Sequence, residues 1–317
     1  MPTTPLNLWI DTDITVGAKK ISFLHYKDVD DGYALGSLMH SPEVEIVGIS
    51  STRANTLDIN ESTSIAKRFV RDFGSESYSV YKGSSSTFDC TRAELPEAVV
   101  ALIDALEKSP LTILAIGAFT NLAILLHARP DLASRIERVV AVAGRESVNE
   151  TFISGSYQRK PFRDLNFEFD VSAFNVVVQS GVEVDLVPFS VCKQVWVDLE
   201  ELLALRVGNP MARFLAEHTF GWWLEWEVVF GARKGFNPFD MVAAAYMINR
   251  DWFTTEGRKA KIVEAPSDTD EGKIKPYLVC SSSNETGHPV RYCTGINTDQ
   301  ISTLMLSRIS SSTVETV

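Results

Sequence analysis

The sequence predicts an α/β protein: one large domain over residues 1–317, with a mostly parallel central sheet flanked by helices. Two observations carry that expectation. Short apolar, β-rich runs recur through the first 190 residues, and helical patterns lie between several of them. Polar clusters directly follow four of those runs, which places them at strand carboxyl ends, where open sheets bind their ligands. Length and composition permit such a fold. A chain of 317 residues can bury a large core, and 45% hydrophobic with 22% charged residues is ordinary for a folded globular protein.

In chain order, "LNLWI" (6–10) reads as the first strand. "DDGYALGSLMHS" (30–41) follows as a helix with Tyr33, Leu35 and Leu38 on an apolar stripe, stopped at Ser41 and Pro42. "VEIVGIS" and "YSVYKG" are strands on either side of the helical "NESTSIAKRFVRDFG", whose Gly74 stands at the position of a C-terminal cap. "ELPEAVVALIDALEKSP" and "TNLAILLHARPDLASRI" are helices flanking the strand "LTILAIG". "RVVAVAG", the short helix "SAFNVVVQSG" and "VDLVPFS" complete this part. From about residue 195 the pattern turns helical, with "DLEELLALRV", "PMARFLAEHTFGWWLEWEVVFGARKG" and "NPFDMVAAAYMINR". The tail alternates like strands ("AKIVEA", "YLVCSS", "VRYCTGI") and closes on the helix-like "DQISTLMLSRI". "SDTDEGK" and "SSSNETGHP" read as surface turns.

Charge and cysteine usage exclude several classes. A formal charge of −11 without a Lys/Arg cluster offers nucleic-acid phosphates no counter-charge. Cys90, Cys192, Cys280 and Cys293 are too widely spaced for a metal pair or a dense disulfide framework, so a reducing compartment is expected. The N-terminus shows neither the charged start nor the long apolar run of a secretory signal, and no stretch is long enough to span a membrane. The expected location is the cytoplasm.

The densest chemistry lies in "DTDITVGAKKISFLHYKDVDDGYAL", residues 11–35. Asp11, Asp13, Asp28, Asp30 and Asp31 crowd the end of the first strand, and their mutual repulsion must be offset. A solvated loop would do this, and so would a hard cation. Carboxylates with no soft ligand nearby suit calcium or magnesium rather than zinc or copper. Polar clusters "SSTRANT", "GAFTN" and "GRESVNE" follow three further strands, so the four converge on one rim.

"DTDI" and "DVDDGYAL", with "SSTRANT", "LAIGAFTNLAILL", "RDLNFEFDVSA" and "FNPFDMVAAAYMI" after them, resemble in order the motifs of the inosine-uridine nucleoside hydrolase family. The resemblance covers nearly the whole chain. It implies a nucleoside hydrolase-like domain with a Rossmann-like core, calcium as cofactor, a ribonucleoside as substrate and a homodimer or homotetramer. Carried over by position, Asp13 is implied as general base and calcium ligand, with Asp31, the carbonyl of Thr120 and Asp240 as further ligands. Asp30, Asn55, Asp164 and Asn166 are implied to hold the ribose, and Asp11 and Asp28 to support that shell. Each has a structural alternative: Thr120 with Asn121, and likewise Asp240, as helix caps, Asn55 and Asn166 as turn residues, Asp170 as a cap.

The sequence departs from the family at the leaving group. Phe239 stands where many members carry His, and a phenyl ring stacks but donates no proton. His218, Trp223 and Trp226 on the preceding aromatic helix are candidate base contacts, against surface and core roles for the same residues. The segment 145–162 is expected as a rim loop whose Arg145, Arg159 and Lys160, with the adjacent Arg163, suit a more polar substrate, and Arg53 is expected near the sugar. Ile14 to Lys27 replace a short turn, as a surface excursion or as a segment that brings Phe23, His25 or Tyr26 over the pocket or a neighbouring subunit. A modified nucleoside, another ribosyl compound, or an inactive binding homologue are the alternatives to a ribonucleoside hydrolase.

Overall fold

The structure is a computed structural model that describes residues 4–18 and 25–311. Its strands are β1 Leu6–Thr12, β2 Val44–Ser51, β3 Val80–Tyr81, β4 Leu111–Ile116, β5 Ile136–Ala141, β6 Val184–Leu186, β7 Phe253–Pro266, β8 Ile274–Ser281 and β9 His288–Ile296. They form one sheet in the order β3-β2-β1-β4-β5-β6-β9-β7-β8. The pairs from β3 through to β9 are parallel, while β7 runs antiparallel to both β8 and β9. The order 3-2-1-4-5-6 in its first part is that of a doubly wound sheet, so the predicted mostly parallel, Rossmann-like architecture holds. The strand order reverses between β1 and β4. Their carboxyl ends border the crevice where such sheets bind ligands.

The helices are α1 Asp30–Met39, α2 Ile59–Phe73, α3 Glu97–Lys108, α4 Thr120–Ala128, α5 Leu165–Glu168, α6 Val171–Gln179, α7 Phe189–Cys192, α8 Leu199–Arg206, α9 Pro210–Glu225, α10 Phe239–Ile248 and α11 Thr298–Ser310. Alternation along each strand feeds two cores. Leu8 and Ile10 of β1, Leu114 of β4 and Val140 of β5 pack with α1, α2, α9, α10 and α11 on one face. Trp9, Ile113, Ala115 and Val139 point the other way, onto α3, α4 and α6. Covered on both faces, β4 reads as the run "LTILAI", apolar except for Thr112, and all six residues are buried. Gly48 is required by close approach: a Cβ there would lie 2.3 Å from the Trp9 ring, whose indole N–H donates to Ser50 Oγ at 2.7 Å. Among the described residues no helix is long and apolar enough to cross a membrane.

Three local expectations are corrected. Gly74 does follow α2, but with φ −99° it is not in the left-handed conformation of a glycine cap. Close packing favours glycine there, since a Cβ would stand 2.8 Å from the Val70 carbonyl. The strand "VDLVPFS" stops at Leu186, because Pro188 begins the turn of α7. The long aromatic helix does not continue regularly: α9 passes into a π-helical turn at Trp226–Phe230, closed by Gly231 at φ +67°.

Candidate active site

β1 delivers the first carboxylates. Asp11 is buried against the neighbouring strand, where its Oδ1 accepts from Ser50 Oγ and from Asn121 Nδ2, the latter at 3.0 Å. Burial outweighs these two bonds and raises its carboxyl to about 6. Asp13, one residue past the strand, faces the crevice and accepts the Asn55 backbone N–H at 2.7 Å. Burial first, and the charge of Asp28 among the smaller causes, raise Asp13 to about 7 against the pull of the Asn55 N–H.

α1 opens with Asp30 and Asp31 in its first turn, where the helix N-terminus favours anions. Asp31 Oδ1 accepts from Thr12 Oγ1, while its Oδ2 is buried without a hydrogen-bond partner. Asp240, in the first turn of α10, donates its backbone N–H to Asp30 Oδ2 at 3.1 Å. It lies inside the helix behind Pro238, so the capping alternative for Asp240 does not hold. Oxygens of Asp30, Asp31 and Asp240 lie within 4.8 Å of one another. Burial, then repulsion by neighbouring carboxylates, holds Asp31 and Asp240 well above the ordinary carboxylate range. Burial also raises Asp30, and it raises Asp28, which accepts the Val29 N–H at 2.7 Å. An orphaned buried carboxylate oxygen within an all-oxygen cluster is a donor set that suits a hard divalent cation.

Thr120 and Asn121 do not cap α4 either, which shows no side-chain cap bond. The Thr120 hydroxyl donates to Asp170 Oδ2 at 2.6 Å, and Asp170 caps α6 through the Ala173 N–H at 3.1 Å. Asn121 instead joins three strands' ends: besides Asp11 it donates to the Ser51 carbonyl at 3.1 Å and accepts the Ser84 N–H at 3.1 Å. Asn121→Ala strips these bonds from a buried site and should lower unfolding stability by about 2–3 kcal/mol in a denaturant titration. A loss under about 0.5 kcal/mol would show that water replaces the amide.

Above this floor lies a cleft of about 440 Å³. Asp13, Asp28, Asp30, Asn55, Asp164, Asn166 and Asp240 line its polar side, and Phe152, Phe162, Phe189, Trp222, Trp226 and Phe239 its aromatic side. Asp164 accepts the Gly144 N–H at 2.9 Å, and burial raises its carboxyl to about 7. Asn166 donates to the Val142 carbonyl at 3.2 Å. Phe239 sits among Phe162, Phe189 and Trp226, with ring centroids 6.2, 5.4 and 6.1 Å away.

Two predicted base contacts lie elsewhere. His218 is exposed on α9, where its Nδ1 stands 2.8 Å from the Phe214 carbonyl and its ring packs 4.1 Å from Phe214. Trp223, one residue round the helix from Trp222, stacks on Phe220 at 5.8 Å and borders a separate surface hollow with Trp196 and Arg233. Trp226 does reach the cleft, as its wholly buried floor. Sequence reasoning passed over Trp222, although its spacing of four from Trp226 marked the shared face. Phe152, Phe162 and Phe189 carried no motif.

The basic residues also redistribute. Arg145 is fully buried away from the cleft, its Nη1 3.0 Å from Asp268 and its guanidinium 4.2 Å from the centre of the Phe152 ring. Arg53 turns from the sugar side to the Leu57 and Ser85 carbonyls. Arg159 and Lys160 are exposed, and Arg163, at the cleft edge, pairs with Glu168 at 2.8 Å. Tyr26 lines the cleft, His25 turns to Glu225 at 3.1 Å, and Phe23 falls outside the described residues. Cys192 is buried, and burial pushes its thiol well up, which removes it as a nucleophile.

A doubly wound sheet with an acidic cleft at its switch point makes this an α/β protein with its ligand site at the strands' carboxyl ends. Residues 8–303 match the inosine-uridine preferring nucleoside hydrolase family, and the chain belongs to that family. The pyrimidine-specific ribonucleoside hydrolase RihA of Salmonella newport (strain SL254) is 25% identical over 217 residues, taking in 59% of this chain and 66% of that protein. RihA of Escherichia coli O7:K1 (strain IAI39 / ExPEC) is 26% identical over 219 residues with the same shares, so the chain spans just under two thirds of these relatives. The purine-preferring ribonucleoside hydrolase from Gardnerella vaginalis superposes with a TM-score of 0.77 at 21% identity, over 96% of this chain and 98% of that one. A plant nucleoside hydrolase gives 0.76 at 16% identity, over 97% and 100%. At these identities the likeness is one of fold.

Proposed function

We propose that the protein hydrolyses the N-glycosidic bond of a ribonucleoside to free base and ribose, with calcium as cofactor. The observation that carries this reading is the meeting, in one cleft, of buried carboxylates with a wall of amides on one side and aromatic rings on the other. Asp13, Asp31, Asp240 and the carbonyl of Thr120 would hold the ion. Once bound it supplies positive charge that lowers the pKa of the hydrolytic water. The all-oxygen donor set favours calcium over softer metals.

Asp13 is the general base. The Asn55 N–H fixes one of its oxygens, and burial raises its basicity toward neutral pH, where proton transfer is efficient. Asp30, Asn55, Asp164 and Asn166 hold the ribose hydroxyls. The negative charge of the cleft stabilises the oxocarbenium-like sugar as the bond to the base breaks. Phe239, Trp222 and Trp226 enclose the departing base and exclude water. Phe239 cannot donate a proton, so base activation rests on stacking and enclosure rather than on a histidine. This departure also motivates a second reading, in which the substrate is a modified nucleoside or another ribosyl compound.

Ribose release from a panel of purine, pyrimidine and modified nucleosides, with and without a calcium chelator, tests the proposal. Turnover of at least one nucleoside is expected, with a fall of at least about 100-fold on chelation and recovery with calcium. Release from modified nucleosides alone would select the second reading. No ribose from any nucleoside would sink the nucleoside reading and leave another ribosyl compound or a binding protein.

A further inference from the structure

We infer that Tyr26 is a specificity-determining residue that walls the aromatic end of the cleft against a planar nucleobase. This rests on the nucleoside reading above and assigns a role to Tyr26, to which the catalytic scheme gives none.

Three anchors hold Tyr26 in place. The buried Glu225 carboxylate accepts the Tyr26 backbone N–H at 2.9 Å, and its other oxygen lies 3.1 Å from Nδ1 of His25. Lys27, the next residue, reaches across to the polar side and donates to the Asn55 carbonyl at 2.6 Å. The Tyr26 ring itself is seated on Gly221 in the middle of α9. A Cβ at Gly221 would stand 2.1 Å from Cε1 of that ring. Glycine is unfavourable inside a helix, and here its missing side chain is the space the tyrosine occupies. The residue after it is Trp222, which lines the same cleft. Tyr26 is thereby held from opposite sides, by α9 through Glu225 and Gly221 and by the Asn55 loop through Lys27.

A pre-positioned ring that lines the same cleft as Trp222 and Phe239 offers flat apolar area at little entropic cost on binding, which favours an aromatic leaving group over a sugar alone. Tyr26 thus sets affinity for the base, while the carboxylates and amides set affinity for the ribose.

Tryptophan fluorescence titration of the calcium-loaded protein with inosine, uridine and free ribose, repeated in an Asp13→Asn background where the nucleoside is not consumed, separates the two. Tyr26→Ala is expected to weaken nucleoside binding at least 10-fold and leave ribose binding within twofold, and Tyr26→Phe to retain most of the affinity. Gly221→Ala, a substitution the helix itself favours, is expected to displace the ring and reproduce the Tyr26→Ala pattern. Nucleoside affinity unchanged in both Tyr26→Ala and Gly221→Ala overturns the inference, as does a parallel loss of ribose binding. Wild-type protein that binds neither nucleosides nor ribose overturns the nucleoside reading itself, and the inference with it.

Discussion

Asp13→Asn is expected to lower the rate of ribose release by at least about 10³-fold while the protein stays folded. The substitution keeps shape and removes basicity. An amide oxygen at the same place still accepts the Asn55 N–H, now 2.7 Å from the carboxylate, so the loop that carries Asn55 keeps its anchor. What disappears is a lone pair able to take a proton near neutral pH, a property that burial confers on Asp13 by raising it to about 7. One negative charge also leaves a cluster in which Asp13 repels Asp31 and Asp240, so in chelator the melting temperature should hold or rise. Steady-state ribose release and a thermal melt of the same preparation check both halves. Undiminished turnover would remove Asp13 as the base. Lost turnover with a collapsed melt would make it a structural residue instead.

The second large effect is a pH-dependent stability that the cation abolishes. Asp11 and Asp164 are raised in the folded protein, to about 6 and about 7, above an ordinary value near 3.8. Between those limits the folded state holds protons that the unfolded chain has released. Their contribution is therefore complete below the unfolded value and is lost as pH climbs through the folded one. For Asp11 the loss is about 3 kcal/mol, a rise from 3.8 to about 6 at roughly 1.4 kcal/mol per pH unit. Asp28, Asp31 and Asp240, raised by burial and by their neighbours' charge, add to it with the same sign. Chelated protein should thus melt at progressively lower temperature from pH 5 to pH 8. Calcium should restore stability most at pH 8, since the ion pairs with the carboxylates that ionise. Thermal melts across that range, in chelator and in calcium, decide it. A chelated protein that gains stability with pH, or one indifferent to calcium at pH 8, would rule out a cation-neutralised cluster.

The alternation of apolar runs with helical patterns was sufficient to locate the strands of the parallel sheet, because a strand covered on both faces is apolar along nearly all its length, as "LTILAI" is with Thr112 its one polar residue. The carboxylates were equally legible. Dense acidic residues at a strand end are too costly to keep without a purpose, and Asp13, Asp28, Asp30 and Asp240 do line one cleft, with Asp31 packed beneath them. Boundaries that depend on one residue were harder to read, as at Gly74, where contact with the Val70 carbonyl and not backbone handedness matters.

The aromatic wall divides the two sources of information most clearly. Four tryptophans or phenylalanines in "TFGWWLEW" look alike in sequence, since each is large and apolar and propensity ranks them together. Which one meets the substrate depends on the rotation of α9 about its axis, and packing against α1, α8 and α11 sets that rotation, turning Trp222 inward and Trp223 out. The place of Tyr26 is of the same kind, fixed by a glycine and a glutamate some 200 residues away along the chain. The sequence by itself determined the sheet, the acidic floor and the family, because those rest on local periodicity and on charges that must be offset wherever they lie. Only the tertiary structure decided which rings and which cations face the cleft, because a side chain's direction on a helix is settled by contacts between segments distant in the chain.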